Sequence, residues 1–367
     1  MPTSHEFGRT PEGLEAHAFL LESRAARVAV TDFGATLLSM SWPDASGRWA
    51  DALLGFGSLE GYLDDPACYG ATIGPVANRT DRAEVPLGGT TWHLEGNDGP
   101  GLRNNLHSSL TRGLHKRVWQ VVGQSDAPAS LSLACELADG ELGLPGNRRL
   151  TCDLELADEG DGARLTVAYG CETDRPTFAS MTNHSYFNLA GHDSGSAMAQ
   201  RVRVEADAYL PVREDSVSRG DVADVAGTPF DFREAKPLGC DVDADDEQLR
   251  IARGYDHCLL VRGWQPDAGP RPALEAVDDA SGRALRIDVT APGAHLYTGN
   301  WLDERDAKDG ATYGPRCGFA FEPEFRPDCA HHPDWEQPVC EPGRPWRSVI
   351  VYHLGARREG AAGRGRA

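Results

Sequence analysis

Arg164-Leu-Thr-Val-Ala-Tyr169 decides the fold class. Apolar side chains at 165, 167 and 169 alternate with polar or small ones, the period-two mark of a strand buried on one face. The same pattern runs outward in both directions. Upstream it appears in Thr151-Cys-Asp-Leu-Glu-Leu156, Leu131-Ser-Leu-Ala-Cys-Glu-Leu137 and Arg27-Val-Ala-Val-Thr31, and in Thr36-Leu-Leu-Ser-Met-Ser-Trp42, which stops at Pro43-Asp44. Downstream it returns in Arg201-Val-Arg-Val-Glu205, Leu285-Arg-Ile-Asp-Val289 and Ser348-Val-Ile-Val-Tyr-His-Leu354. Turn clusters such as Ala138-Asp-Gly140, Glu159-Gly-Asp-Gly162 and Ser281-Gly-Arg283 separate these runs. Long amphipathic helical stretches are missing, and only a short turn of helix fits Leu59–Leu63. Many short strands with frequent turns and 41 glycines predict an all-β sandwich or barrel. Composition does not shift before Leu354 and no linker or fixed repeat appears, which predicts one domain over residues 1–355. The tail 356–367 has no apolar residue larger than alanine and is expected to be disordered.

The chain of 367 residues carries a formal charge of −20, which argues against nucleic acid and anionic membrane surfaces as partners. Part of that charge sits in Asp241-Val-Asp-Ala-Asp-Asp-Glu247. The run reads as a solvated loop, because it lacks the glycine and terminal glutamate of a calcium-binding loop. Nine cysteines, an odd number without a Cys-x-x-Cys pair, suit reduced and mostly buried thiols. Met-Pro-Thr-Ser-His-Glu-Phe shows neither a basic start nor an apolar run, and no apolar segment approaches the roughly 20 residues needed to span a bilayer. A cytoplasmic protein is expected. The sequons at Asn78 and Asn183 then read as coincidence.

Five stretches hold polar residues in settings odd for a sheet. Ser180-Met-Thr-Asn-His-Ser-Tyr-Phe-Asn-Leu-Ala-Gly191 sets His184 among hydroxyls and amides, with aromatic residues close behind. Hydrogen bonds can orient such a ring while apolar walls adjust its pKa, which suits proton exchange. The plainer alternative is a histidine satisfied inside a strand. Gly74-Pro-Val-Ala-Asn-Arg-Thr80 offers Asn78 and the Arg79 fork of donors, or simply a surface arginine after a turn. His107 lies in a loop of amides and hydroxyls, and Asp256 and His257 stand at the mouth of an apolar run. Glu322 is flanked by Phe319, Phe321 and Phe325, where desolvation raises a carboxyl pKa and favours a general base. Its alternative is pairing with Arg79 or Arg326. No phosphate-binding glycine loop and no Gly-x-Ser-x-Gly elbow occur, and the adjacent His331-His332 read as surface residues rather than metal ligands.

Taken in order, Val76-Ala-Asn-Arg79, Asn104-Asn-Leu-His107, Thr182-Asn-His-Ser-Tyr-Phe-Asn-Leu189, Tyr209-Leu-Pro-Val212, Gly254-Tyr-Asp-His257, Tyr297-Thr-Gly-Asn300 and Glu322 with Pro327-Asp328 resemble the galactose mutarotase (aldose 1-epimerase) family over roughly Val28 to Leu354. The resemblance implies a large antiparallel β-sandwich. It also implies interconversion of the α and β anomers of free aldoses, galactose and glucose above all, without metal or organic cofactor. By position, Glu322 is similar to the family's general base and His184 to its general acid. His107, Asp256 and Arg79 resemble its sugar-holding residues, with Asn78 bracing Arg79 and Trp301 offering a stacking face.

Departures bear on the substrate. Ser108-Ser109 stand where the family has two glycines, adding bulk and hydroxyls beside His107. His295 stands where a glutamine is usual, and Pro75, Pro323 and Thr111-Arg-Gly-Leu-His115 also differ. The expected partner is a free hexose, with the protein a monomer or homodimer. The alternatives are a related epimerase for another sugar or hemiacetal, a non-catalytic sugar-binding relative, and a glycosidase, which normally needs two carboxylates at a set separation.

Overall fold

The computed structural model describes residues 2–357, so most of the expected tail lies outside the described residues. Its ladder-forming strands pair antiparallel in three principal sheets. The first five strands, from Thr3–Arg9 to Trp49–Asp51, form a meander in chain order. A nine-stranded sheet begins Gln120–Asp126, Ala129–Leu137, Arg148–Glu159, Gly162–Thr173. It continues through Trp346–Ala356 and Arg283–Val289, so the last long strand lies at its centre. That strand runs to Ala356, and Arg357 N donates to Gly282 O at 2.7 Å. A six-stranded sheet holds Tyr186–Phe187, Phe319–Glu324, Gly293–Tyr297, Asp256–Val261, Ala206–Tyr209 and Ala223–Asp224 in that order.

The alternation seen in the sequence becomes continuous rows of apolar side chains. Register carries one row from Leu131 through Leu154, Val167 and Ile350 to Val289. The next runs Leu156, Leu165, Tyr352, Ile287, Leu274. All ten residues are buried in one core with Phe187, Phe319, Phe321 and Leu296 of the six-stranded sheet. Packing the two inner faces together buries both stripes, the arrangement of a β-sandwich. The Phe187 and Tyr352 rings meet across it at 5.7 Å.

The short helix Leu59–Leu63 falls where the sequence places it. A second, Glu247–Ala252, grows out of the acidic run expected to be a loop. Asp246 caps it by accepting from Gln248 N and Leu249 N. Asp241 pairs with Lys236 at 2.7 Å, Asp243 with Arg316 at 2.7 Å, and Asp245 with Arg250. The run is thus spent on ion pairs and a cap.

Arg283 joins the meander to the large sheet. Its fully buried guanidinium donates to Leu189 O at 2.6 Å, Arg48 O at 3.1 Å and Trp42 O at 3.3 Å. Two of these carbonyls, of Leu189 and Trp42, belong to fully buried residues and need a donor. Arg283→Ala is therefore expected to lower unfolding free energy by about 3 kcal/mol in urea titration, while Arg286→Ala, on the exposed face, changes it by less than about 1 kcal/mol.

Candidate active site

Strand alternation sorts the six-stranded sheet into a core face and a second face that floors a cavity. Along Phe319–Glu324, Phe319 and Phe321 enter the core, so Ala320, Glu322 and Glu324 point the other way. In the neighbouring strand Leu296 enters the core and His295 and Tyr297 turn outward; in the next, Leu259 does so and Asp256 turns outward. Register then places His295 opposite Glu322, and Tyr297 opposite both Ala320 and Asp256.

The rest of the site comes from loops locked to this floor. His184 is pinned through its backbone, its N donating to Ala71 O at 2.9 Å and its O accepting from Gly70 N at 3.0 Å. Gly70 has φ +65°, and a Cβ there would stand 2.0 Å from Leu37 O, so only glycine fits. Asn183, in the same motif, donates to Gly70 O at 2.8 Å and accepts from Ser185 Oγ at 2.5 Å. Its burial also rules out a glycan, as does that of Asn78.

Tyr297-Thr-Gly-Asn300 and Gly254-Tyr-Asp-His257 interlock. Asn300 Nδ2 donates to Ala252 O and Tyr255 O, each at 3.0 Å, satisfying carbonyls at the end of the short helix. A Cβ on Gly254 would lie 2.4 Å from Asn300 Oδ1.

These constraints bring Glu322, His184, His107, Asp256, Arg79, Asn78, His295 and Trp301 around one cavity of about 290 Å³. That is near the small end of the ~300–1,000 Å³ range of ligand sites. His184 Nε2 lies 3.4 Å from Glu322 Oε2. His184 Nδ1 and Glu322 Oε2 are buried without a hydrogen-bond partner, which leaves bonding capacity for a ligand. His107 Nδ1 accepts from Asn78 N at 3.1 Å, so the ring proton sits on Nε2. The His107 and His184 rings meet edge to face at 5.5 Å. A larger hollow of about 640 Å³ lies along Trp42, Leu285 and Leu354. Its one histidine, His353, is already held by Glu159 at 2.6 Å and Asp288 at 3.1 Å.

Burial and charge set the ionisation of the group. Desolvation pushes Glu322 well above the ordinary carboxyl range and lowers His184 to about 4. Burial likewise keeps His107 neutral, with His184 nearby adding to the effect. His295 goes the other way. Burial disfavours its charge, but hydrogen bonds to Asp256 (2.8 Å) and Glu324 (3.1 Å) overcome that and raise it to about 10. Asp256 is buried too, yet His295 and Arg79 hold it well below its usual value. Among the described residues, no group of three or more His, Cys, Asp or Glu is arranged to hold a metal ion.

Several expectations change in detail. Neither expected arginine pairs with Glu322: Arg79 Nε donates to Asp98 Oδ2 at 3.0 Å and Arg326 pairs with Glu336 at 3.0 Å. Asn78 braces Arg79 through its backbone rather than its guanidinium. Its Oδ1 accepts from Arg79 N at 2.8 Å, while its Nδ2 lies 3.0 Å from His295 Nδ1 and 3.4 Å from Glu324 Oε1. Asp98 braces the guanidinium, a role hidden in the turn-like run Asn97-Asp-Gly-Pro100. Ser108 and Ser109 add nothing to the cavity, because Ser108 Oγ donates to Val76 O at 3.0 Å and Ser109 Oγ to Glu95 at 2.7 Å. Trp301 stands at the rim, 59% exposed, with the Arg253 guanidinium 4.1 Å over its ring. Tyr186 and Tyr297, which lie in two of the quoted motifs but were given no role, also line the cavity, as does Glu304, which carried no signal in the sequence.

The family model for aldose 1-epimerase matches residues 17–353. The chain is 36% identical to an aldose 1-epimerase of Escherichia coli K12 over 347 residues, covering 94% of this chain and 96% of that protein. It is also 36% identical to a galactose mutarotase of Homo sapiens over 343 residues, covering 92% and 94% respectively. Among solved structures, an aldose epimerase homologue from C. elegans superposes with a TM-score of 0.82 at 26% identity, covering 92% of this chain and 99% of that one. A galactose 1-epimerase from Lactobacillus acidophilus NCFM gives 0.82 at 25% identity, covering 97% and 99%. Matches of this length and identity mean that the chain belongs to the aldose 1-epimerase family.

Proposed function

We propose that this protein is an aldose 1-epimerase that interconverts the α and β anomers of free aldoses such as galactose and glucose, with Glu322 as general base and His184 as general acid. The observation that carries the reading is the 3.4 Å approach of His184 Nε2 to Glu322 Oε2 on the floor of a small polar cavity. Glu322 takes the proton from the anomeric hydroxyl while His184 gives one to the ring oxygen, and the C1–O5 bond opens. The aldehyde turns about C1–C2. His184 then recovers its proton from O5, Glu322 returns its own to O1, and the ring closes on the other face. No free alkoxide or oxonium forms, and general acid–base help of about 100- to 10,000-fold per group suits a reaction that already proceeds in water.

The pair holds one transferable proton. With the cavity empty that proton resides on Glu322, since burial raises the carboxyl and lowers the imidazole. Moving it across 3.4 Å yields the carboxylate–imidazolium form with the same proton count. Arg79, Asp256 and His107 supply charged and neutral hydrogen-bonding groups for sugar hydroxyls, and Trp301 an apolar plate at the entrance. Asn78 and His295 support that wall from the Glu324 side.

No helix of the described residues is long and apolar enough to cross a membrane. The charge of −20 and nine cysteines without a disulfide fit a cytoplasmic protein, monomeric or dimeric, that acts on small sugars rather than nucleic acid.

Polarimetry on freshly dissolved α-galactose, α-glucose, arabinose and fucose tests the reading: acceleration with at least one hexose is expected, and none with any hexose would remove it. Glu322→Gln and His184→Ala should each lower kcat/KM by about 100- to 10,000-fold. Retention of full rate by both would mean that whatever activity is seen does not come from this pair, as the reading of a non-catalytic sugar-binding relative expects. The pH profile should be a bell. Its acid side falls near pH 4, as His184 gains a second proton for the pair. Its alkaline side lies well above 4.5, where Glu322 loses the proton the pair must share.

A further inference from the structure

We propose that His295 is a positioning residue whose fixed imidazolium, clamped between Asp256 and Glu324 directly beside Glu322, sets the proton affinity of that carboxyl group. The inference rests on the epimerase reading of this site and adds a control on its pH range.

The geometry is that of a buried ion cluster rather than a ligand contact. His295 Nε2 lies 2.8 Å from Asp256 Oδ1, and Nδ1 lies 3.1 Å from Glu324 Oε1 and 3.0 Å from Asn78 Nδ2; facing a carboxylate oxygen on each side, both ring nitrogens are assigned as donors, with the Asn78 amide hydrogens turned to Glu324. A ring that donates at both nitrogens to carboxylates is favoured as the cation. The His295 and Glu324 side chains are almost wholly buried, which holds water away from the pair. Asn78 Nδ2, 3.4 Å from Glu324 Oε1, adds a donor to the same oxygen and fixes its position. Strand register then seats His295 directly opposite Glu322, where side chains on one face stand about 5 Å apart at Cβ.

The groups facing Glu322 decide the sign. The cations are His295 on the adjacent strand and Arg79 from its loop, and both favour the carboxylate. The anions are Asp256 two strands away and Glu324 on its own strand, whose carboxyl burial pushes upward while the His295 contact draws it back down; both oppose it. His184 and His107 stand across the cavity as neutral rings. The remaining neighbours, Tyr186, Tyr297, Tyr352 and Cys68, stay protonated through neutral pH, because burial drives their ionisation upward. Arg79 is already engaged by Asp98 at 3.0 Å and reaches Asp256 only at 3.8 Å. His295, the cation on the adjacent strand, is therefore the larger offset to these two anions, ahead of Arg79. Without it, Glu322 binds its proton more tightly, and less of the pair reaches the carboxylate–imidazolium form.

The test is His295→Gln, which keeps a planar amide able to bridge the same oxygens without a positive charge. The alkaline limb of kcat/KM for galactose should move upward by about one pH unit, with kcat near pH 7 falling about tenfold. A loss of rate with both limbs unmoved would overturn the proposal and leave a packing role. Should the variant not fold, neutron diffraction on the unaltered protein at pH 8.5 decides: deuterons on both ring nitrogens of His295 are expected, and a bare nitrogen would overturn it. A protein inactive on every hexose would defeat the epimerase reading while leaving the neutron result to stand on its own.

Discussion

The approach of His184 to Glu322 depends on a hydrogen-bonded seam between two loops and on the register of one sheet. His184 is held through its backbone to Gly70 and Ala71, and Glu322 through its strand pairing with His295. Neither side chain needs a partner of its own to find its position. That frees the polar atoms His184 Nδ1 and Glu322 Oε2, which would be costly to leave unpaired in an ordinary core. A one-residue slip of Phe319–Glu324 would send Glu322 into the apolar core and bring Phe321 to the cavity. The Phe319 and Phe321 rings, buried between the sheets, make that slip expensive and so guard the chemistry from behind.

Backbone strain gathers at the same place. Asn78, His107 and Ser108 have φ of 59°, 57° and 64°, a left-handed conformation that costs non-glycine residues roughly 1–2 kcal/mol each. Each is over-determined by its neighbours. Asn78 N donates to His107 Nδ1, His107 N donates to Asn78 O at 3.1 Å, and Ser108 Oγ accepts from Val76 N at 2.8 Å. The loop carrying His107 and the loop carrying Arg79 thus hold one another in a conformation neither would keep alone. Of the two serines that depart from the family pattern, Ser108 belongs to this brace and Ser109 is spent on Glu95, and neither faces the cavity.

Much of this was legible in the sequence, for reasons that differ by element. Long strands such as Arg148–Glu159 and Gly162–Thr173 show themselves because one face is wet and the other dry, which writes a period of two into the chain. Tyr186–Phe187 is a two-residue strand and too short to show any period. The helix Glu247–Ala252 was masked by its acidic start, since a capping aspartate and a solvated one look alike until the backbone N–H groups are in place. Glu322 was picked out by its flanking phenylalanines and by the family resemblance, but what Glu324 does was out of reach. Both turn to the same face, and only pairing shows that one stands beside His295 facing His184 while the other is spent on Asn78 and His295. Asp98 was missed because its partner, Arg79, lies in a different loop.

The rim residue Trp301 has one side of its indole covered, with Arg253 lying 4.1 Å over the ring. Arg253 is fixed in turn as the left-handed cap of the helix Glu247–Ala252, and its carbonyl accepts from Arg316 at 3.3 Å. The aromatic surface at the mouth is consequently single-sided. A flat, hydroxylated molecule arriving there meets a lone plate and not a slot between two, so it is guided inward without being gripped. Such a threshold suits quick traffic in both directions, with selection left to the polar groups deeper in.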